Sequence, residues 1–239
     1  MLKCFIMNDD KASDFSAIAQ SLINSVAFLG FNSVPTALSV VSPILQRILE
    51  KGFRMFHRDS IAKVECARLG IAYITAVKTT NQNLDSGKPL RNDGFFDAIN
   101  NEQYTVADEI IEATLRNVII DAETRKSEIY GRFIGNIPFL SGCPADDLIR
   151  INSILRQLTM VDLDNLSHFS DGKVHSFHDL EMEVKSQENS PNAIRLASLF
   201  RLKDLGLIIR VPPAYVGYDI DNERITVLGR QVLEIARQI

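Results

Sequence analysis

Two groups of side chains have the types and spacing for chemistry. His175 and His178 stand three apart in "HSFH", with His168, Asp162 and Asp164 just upstream. Histidines at i and i+3 on one helix face can share a metal ion, and upstream carboxylates could complete its shell. The spacing supplies no third ligand, and His-x-x-His recurs by chance, so solvated loop histidines are the simpler reading. The second group is Glu109, Glu112, Asp121, Glu123 and Glu128. Paired carboxylates serve acid–base catalysis or bind two metals, and a helical di-metal site adds Glu-x-x-His on two helices. This stretch has no histidine, so a salt-bridged helix surface is expected.

The common catalytic signatures are missing. The chain carries no Gly-x-Ser-x-Gly elbow, no phosphate-cradling Gly-x-x-x-x-Gly-Lys-Ser/Thr and no His-Glu-x-x-His. Cys66 falls in an amphipathic pattern without a neighbouring histidine, which predicts a structural thiol and not a nucleophile. No catalytic residue, metal or cofactor is therefore assigned. Cys4, Cys66 and Cys143 are odd in number and far apart, unlike a disulfide framework, and they fit a reducing cytoplasm. The first residues, "MLKCFIMNDDKASD", are too soon acidic for a signal peptide, and Met7 is a second candidate start.

The elements that would hold these residues are helical over most of the chain. "RDSIAKVECARLGIAYITAVKTTNQNL" predicts one amphipathic helix from His57 to about Leu84, with Ile61, Val64, Leu69, Ala72 and Ala76 on its inner side. "DSGKPLRNDG" is a loop. A helix from about Val106 turns Ile110, Leu115 and Val118 inward and Glu109, Glu112 and Arg116 outward. Asp121 and Glu123 mark a junction, and helix ends near Pro138. After Pro144 the pattern changes. A helix opens with Asp146 and Asp147 in its first turn, "HSFHDLEMEVK" suits a short helix, and "SPNAIRLASLFRLKDLG" suits another that stops at Gly206. "LIIRV" and "YDIDNERITV" read as strands, and Thr226 is placed to cap a final helix. The fold class expected is mainly α: an N-terminal helical domain, 1–143, and a small α+β domain, 144–239.

The order of the last third, with "LFRLKDLGLIIRV" and "RITVLGRQVLEIA", resembles a winged-helix domain. The resemblance implies a base-reading helix from about Asn192 to Asp204, with Asn192, Arg195, Ser198, Arg201 and Lys203 as candidate DNA contacts. Charge argues the other way. From Pro144 onward, 11 Lys and Arg stand against 14 Asp and Glu, and the wing holds Asp219, Asp221 and Glu223 against Arg224. The whole chain carries −4. Phosphate binding calls for a basic excess, so protein contact is favoured over DNA.

Residues 15–46 contain no charged side chain. Their two apolar arms place Leu22, Val26 and Leu29, then Leu38, Val41 and Leu45, at helical spacing. Both are broken by polar residues or Pro43, so neither makes a clean membrane span of about 20 apolar residues. A buried hairpin is the plain reading; an oligomer interface or a conditional membrane contact, with Arg47, Lys51, Arg54 and Arg58 at headgroups, are the sharper ones. "SVPTALSVVSPILQRILEKGF", together with the terminal "ITVLGRQVLEIA", is similar to bacterial helical proteins related to abortive-infection (Abi-alpha type) defence proteins. That likeness implies a phage-defence setting and carries over no catalytic residue. The expected function is a non-enzymatic bacterial interaction protein with a protein partner or self-association; the alternative is a DNA-binding transcriptional regulator.

Overall fold

The computed structural model describes residues 62–97, 105–171, 175–176, 182–184, 186, 192–211 and 222–236. The protein is mainly α-helical with one small antiparallel sheet near its C-terminus. Two compact units are distinguished: Met1–Ile120 with Tyr130–Ser141, and Asp121–Ile129 with Gly142–Ile239.

In the first unit, α1 (Lys63–Asp85) runs without a break to the predicted end, but it starts at Lys63 after Ala62 in extended backbone and not at His57. The Glu65 carboxylate accepts the Ala62 N–H at 2.7 Å at its start. Gly87, at φ +72°, ends it, and the Lys88 N–H closes back on the Asn83 carbonyl. Leu69, Ala72 and Ala76 are buried as expected, whereas Val64 is half exposed. Helix α2 (Val106–Ile120) buries Ile110, Leu115 and Val118. Thr105 and Asp108 cap it reciprocally, the Asp108 Oδ2 accepting both the Thr105 N–H and its hydroxyl at 2.9 Å. Helix α3 (Lys126–Asn136) follows, with a 3-10 turn at Ile137–Phe139. Its Gly131 and Gly135 lie directly on α1. A Cβ at Gly131 would stand 2.3 Å from the Ala72 carbonyl oxygen, and one at Gly135 would stand 2.5 Å from that of Ala76. The Thr80 hydroxyl donates to the Gly135 carbonyl at 3.3 Å, and the Asn83 amide donates to Asn136 Oδ1 at 2.9 Å, extending the same contact.

The second unit contains α4 (Ala145–Gln157), α5 (Met160–Ser167), β1 (His175–Ser176), α6 (Ala193–Asp204), β2 (Ile208–Val211), β3 (Asn222–Ile225) and α7 (Val227–Ala236). The helical pattern after Pro144 resolves into two helices. Leu158 and Thr159 take extended backbone, and Thr159 and Asp162 form a capping box that starts α5. Within "HSFHDLEMEVK", His175 and Ser176 depart from the helical expectation and pair with β3 opposite Glu223 and Asn222, whereas residues 182–184 are helical. A ladder hydrogen-bonded to a neighbouring strand outweighs a short local helix preference. The sheet order is β1-β3-β2, with Ile208 opposite Ile225 and Arg210 opposite Glu223. Thr226 caps α7 as expected, accepting the Gly229 N–H at 2.9 Å. The core gathers Leu148, Ile151, Leu155, Leu166, Phe169, Leu202, Leu207 and Val232. Segment Asp121–Ile129 is fastened to this core: Lys126 is buried, pairs with Asp121 and donates to the Arg156 carbonyl, while Glu123 accepts the Met160 N–H at 3.0 Å.

Candidate functional site

Helix α6 is where the sequence places its candidate contacts, and the fold sorts them to different sides. The helix stops because Gly206 turns at φ +71° and the Leu207 N–H closes on the Leu202 carbonyl. Ser198, Leu199 and Leu202 face inward. Ser198 is 3% exposed and accepts the Asn165 side-chain amide at 2.8 Å, so it belongs to the core and not to an outer contact surface.

Arg201 and Lys203 do reach the surface, but each is tied to a buried carboxylate. The Arg201 Nη1 donates to Asp162 Oδ2 at 2.8 Å. Asp162 is buried, and the same oxygen accepts the Thr159 N–H at 2.7 Å and its hydroxyl at 2.8 Å. Burial pushes this carboxyl's pKa up; hydrogen bonds from the Thr159 backbone, the Ser198 and Thr159 hydroxyls and Arg201 outweigh it and hold the pKa below the ordinary value. Lys203 donates to Glu223 Oε1 at 2.7 Å, where Glu223 is buried at the centre of the sheet. Asn192 donates its amide to Glu183 at 2.8 Å. Arg195 is exposed on the first turn of α6.

The exposed side chains of α6 are Ala193, Ile194, Arg195, Ala197, Phe200, Arg201 and Asp204. Ile194 is 71% exposed and Phe200 47%. Four of these seven side chains are apolar, and of the two cations Arg201 is tied to Asp162. Asp204 continues into a shallow groove of about 560 Å³ between α6 and α4, lined also by Asp146, Ile149, Arg150 and Leu205. Sequence reasoning passed over this stripe because attention to polar types hides an apolar one. Its signal is the outward period of Ala193, Ala197 and Phe200, set against the inward period of Ser198 and Leu202.

The other candidates are dispersed. Asp121 and Glu123 serve as ion-pair and capping groups, Glu112 pairs with Arg116 at i,i+4, and Glu109 and Glu128 are exposed. Asp164 and His168 are exposed, while His178 lies outside the described residues. Among the described residues no three His, Cys, Asp or Glu side chains gather as a metal site. Cys66 and Cys143 are half-buried thiols. Leu22, Val26, Leu29, Leu38, Val41 and Leu45 all lie outside the described residues. No described helix is long and apolar enough to cross a membrane. Comparison with known proteins finds no matching family model, no matching curated protein and no matching solved structure.

Proposed function

We propose that the protein is a non-enzymatic interaction protein whose C-terminal unit is a winged-helix-type module used to bind protein and not DNA. The observation that carries this reading is the exposed side of α6, where four of seven side chains are apolar and Arg201 is tied to the buried Asp162 carboxylate. Arg201 and Lys203 are each matched by a buried carboxylate, so neither adds net positive potential toward a phosphate backbone. The helix order and the β1-β3-β2 sheet support the module's kind. The charge-free segment 15–46 is assigned a second contact role, in assembly or conditional membrane contact, within the bacterial defence setting that the resemblance implies.

The test is the solution mass by light scattering, with and without duplex DNA, at low and moderate salt. The mass is expected to ignore DNA. A DNA complex that weakens steeply with salt, and weakens further with Arg195→Ala, would replace this reading with that of a transcriptional regulator.

A further inference from the structure

We infer that α6 is built in two parts: residues 198–204 form a fixed stem, and residues 193–197 form a lead that unwinds and rewinds while the stem stays in place. The inference goes beyond protein binding and does not rest on it. The fastenings of the helix are gathered in the stem. Ser198, Leu199 and Leu202 are its buried side chains. Ser198 accepts the Asn165 amide at 2.8 Å, Arg201 donates to buried Asp162 at 2.8 Å, and Lys203 donates to buried Glu223 at 2.7 Å. The stem is thereby tied to α5 and to the sheet, and the Leu207 N–H closes its end on the Leu202 carbonyl.

The lead lacks these supports. Ala193, Ile194, Arg195 and Ala197 are exposed, and Leu196 is half-buried. Asn192, which precedes the lead, makes no side-chain cap bond and gives its amide to Glu183. The first turn carries no acidic side chain, and Arg195 sets a cation where the helix dipole disfavours one. A turn of helix is not stable by itself and persists through packing or a cap. Segments with few buried apolar contacts and solvent-exposed hydrogen bonds open locally, at less than the free energy of global unfolding.

This equilibrium is a conformational device. Wound, the lead sets Ile194, Arg195 and Ala197 on the helix surface. Unwound, α6 starts at Ser198 and those side chains leave that surface. A ligand of the wound form shifts the balance toward it, and its apparent affinity falls with the fraction that is unwound. Residues that only wind the lead therefore control a surface they do not touch.

Native-state amide hydrogen exchange on the full chain is the experiment. The Ala197, Ser198 and Leu199 amides have their helical acceptors in the lead, whereas Lys203 and Leu205 have theirs in the stem. Relative to unstructured rates, the first set should exchange roughly a hundredfold faster than the second. Low urea should speed Lys203 and Leu205 and leave the first set nearly unchanged, because local opening exposes little surface. Asp162→Asn loosens the stem alone, so it should speed Lys203 and Leu205 roughly tenfold or more without moving the first set. Arg195→Glu places a carboxylate on the first turn and should slow the first set roughly threefold. Equal protection of both sets, or a common urea dependence, overturns the inference. So does a first set that follows Asp162→Asn as the stem does, or that ignores Arg195→Glu.

Discussion

Where α3 meets α1, the contact is backbone against backbone, with Gly131 and Gly135 laid on the Ala72 and Ala76 carbonyls. Where α6 meets α5, a buried carboxylate, an amide and two hydroxyls meet a guanidinium. The first contact depends on shape and contains no ionisable group. The second depends on every partner being present, because a buried polar group left unpaired costs more than the pair contributes. On α6, Ser198 is held inside and Arg201 is tied to Asp162, while Ile194 and Phe200 are exposed. Asp162 anchors the helix through Arg201.

Substitution at Gly131 should be the harshest test of this comparison. Gly131→Val should destabilise the protein by roughly 3 kcal/mol, since its Cβ meets the Ala72 carbonyl and the Thr75 side chain and the helices must part. Chemical denaturation would measure it. Glycine-to-alanine changes inside an unobstructed helix stabilise by about 1 kcal/mol. A stabilised Gly131→Ala variant would therefore break the close-packing account.

Asp162→Asn comes next, with an expected loss of about 2 kcal/mol at neutral pH from the Thr159 and Arg201 hydrogen bonds. Its pH dependence sharpens the contrast. The folded carboxyl titrates below its ordinary value of 3.8, so its stabilisation is present above that pH and fades as pH falls through the folded value. Urea unfolding at a series of pH values should show the gap between parent and Asp162→Asn narrowing in acid, while the Gly131→Val gap stays constant. Equal narrowing in both variants would defeat the distinction.

Thr226→Ala should cost about 1 kcal/mol, by loss of the bond to the Gly229 N–H. Thermal melts followed by circular dichroism would detect it. The smallest effect belongs to Arg195→Ala, which should stay within about 0.5 kcal/mol because the side chain is exposed. A larger loss would mean that Arg195 is anchored like Arg201 and Lys203.

The helices were legible because their signals are local. The apolar spacing of Ile110, Leu115 and Val118, the Gly206 stop and the Thr226 cap each lie within a few residues of what they control. The break at Leu158 and Thr159 was just as local, and the Thr-x-x-Asp pattern could have announced it. The strand at His175 was not, since a two-residue strand exists only through its pairing with β3. The candidate contacts on α6 were chosen by residue type, and type does not tell which side of a helix is buried. Ser198 therefore stood among the outward residues until its bond to Asn165 placed it inside.

By itself the sequence determined the helical class, the change of pattern after Pro144 and the ends of several elements, because periodicity, caps and turn residues act over one or two turns. Tertiary structure decided which polar groups were consumed. Asp162 and Arg201 are 39 residues apart and Asn165 and Ser198 are 33 apart, and only folding brings each pair to 2.8 Å. The same packing lets α1 and α3 approach until a glycine is required. Whether a cation is free to meet a partner or already held by a buried carboxylate, as Arg201 is by Asp162, is a property of those long-range contacts.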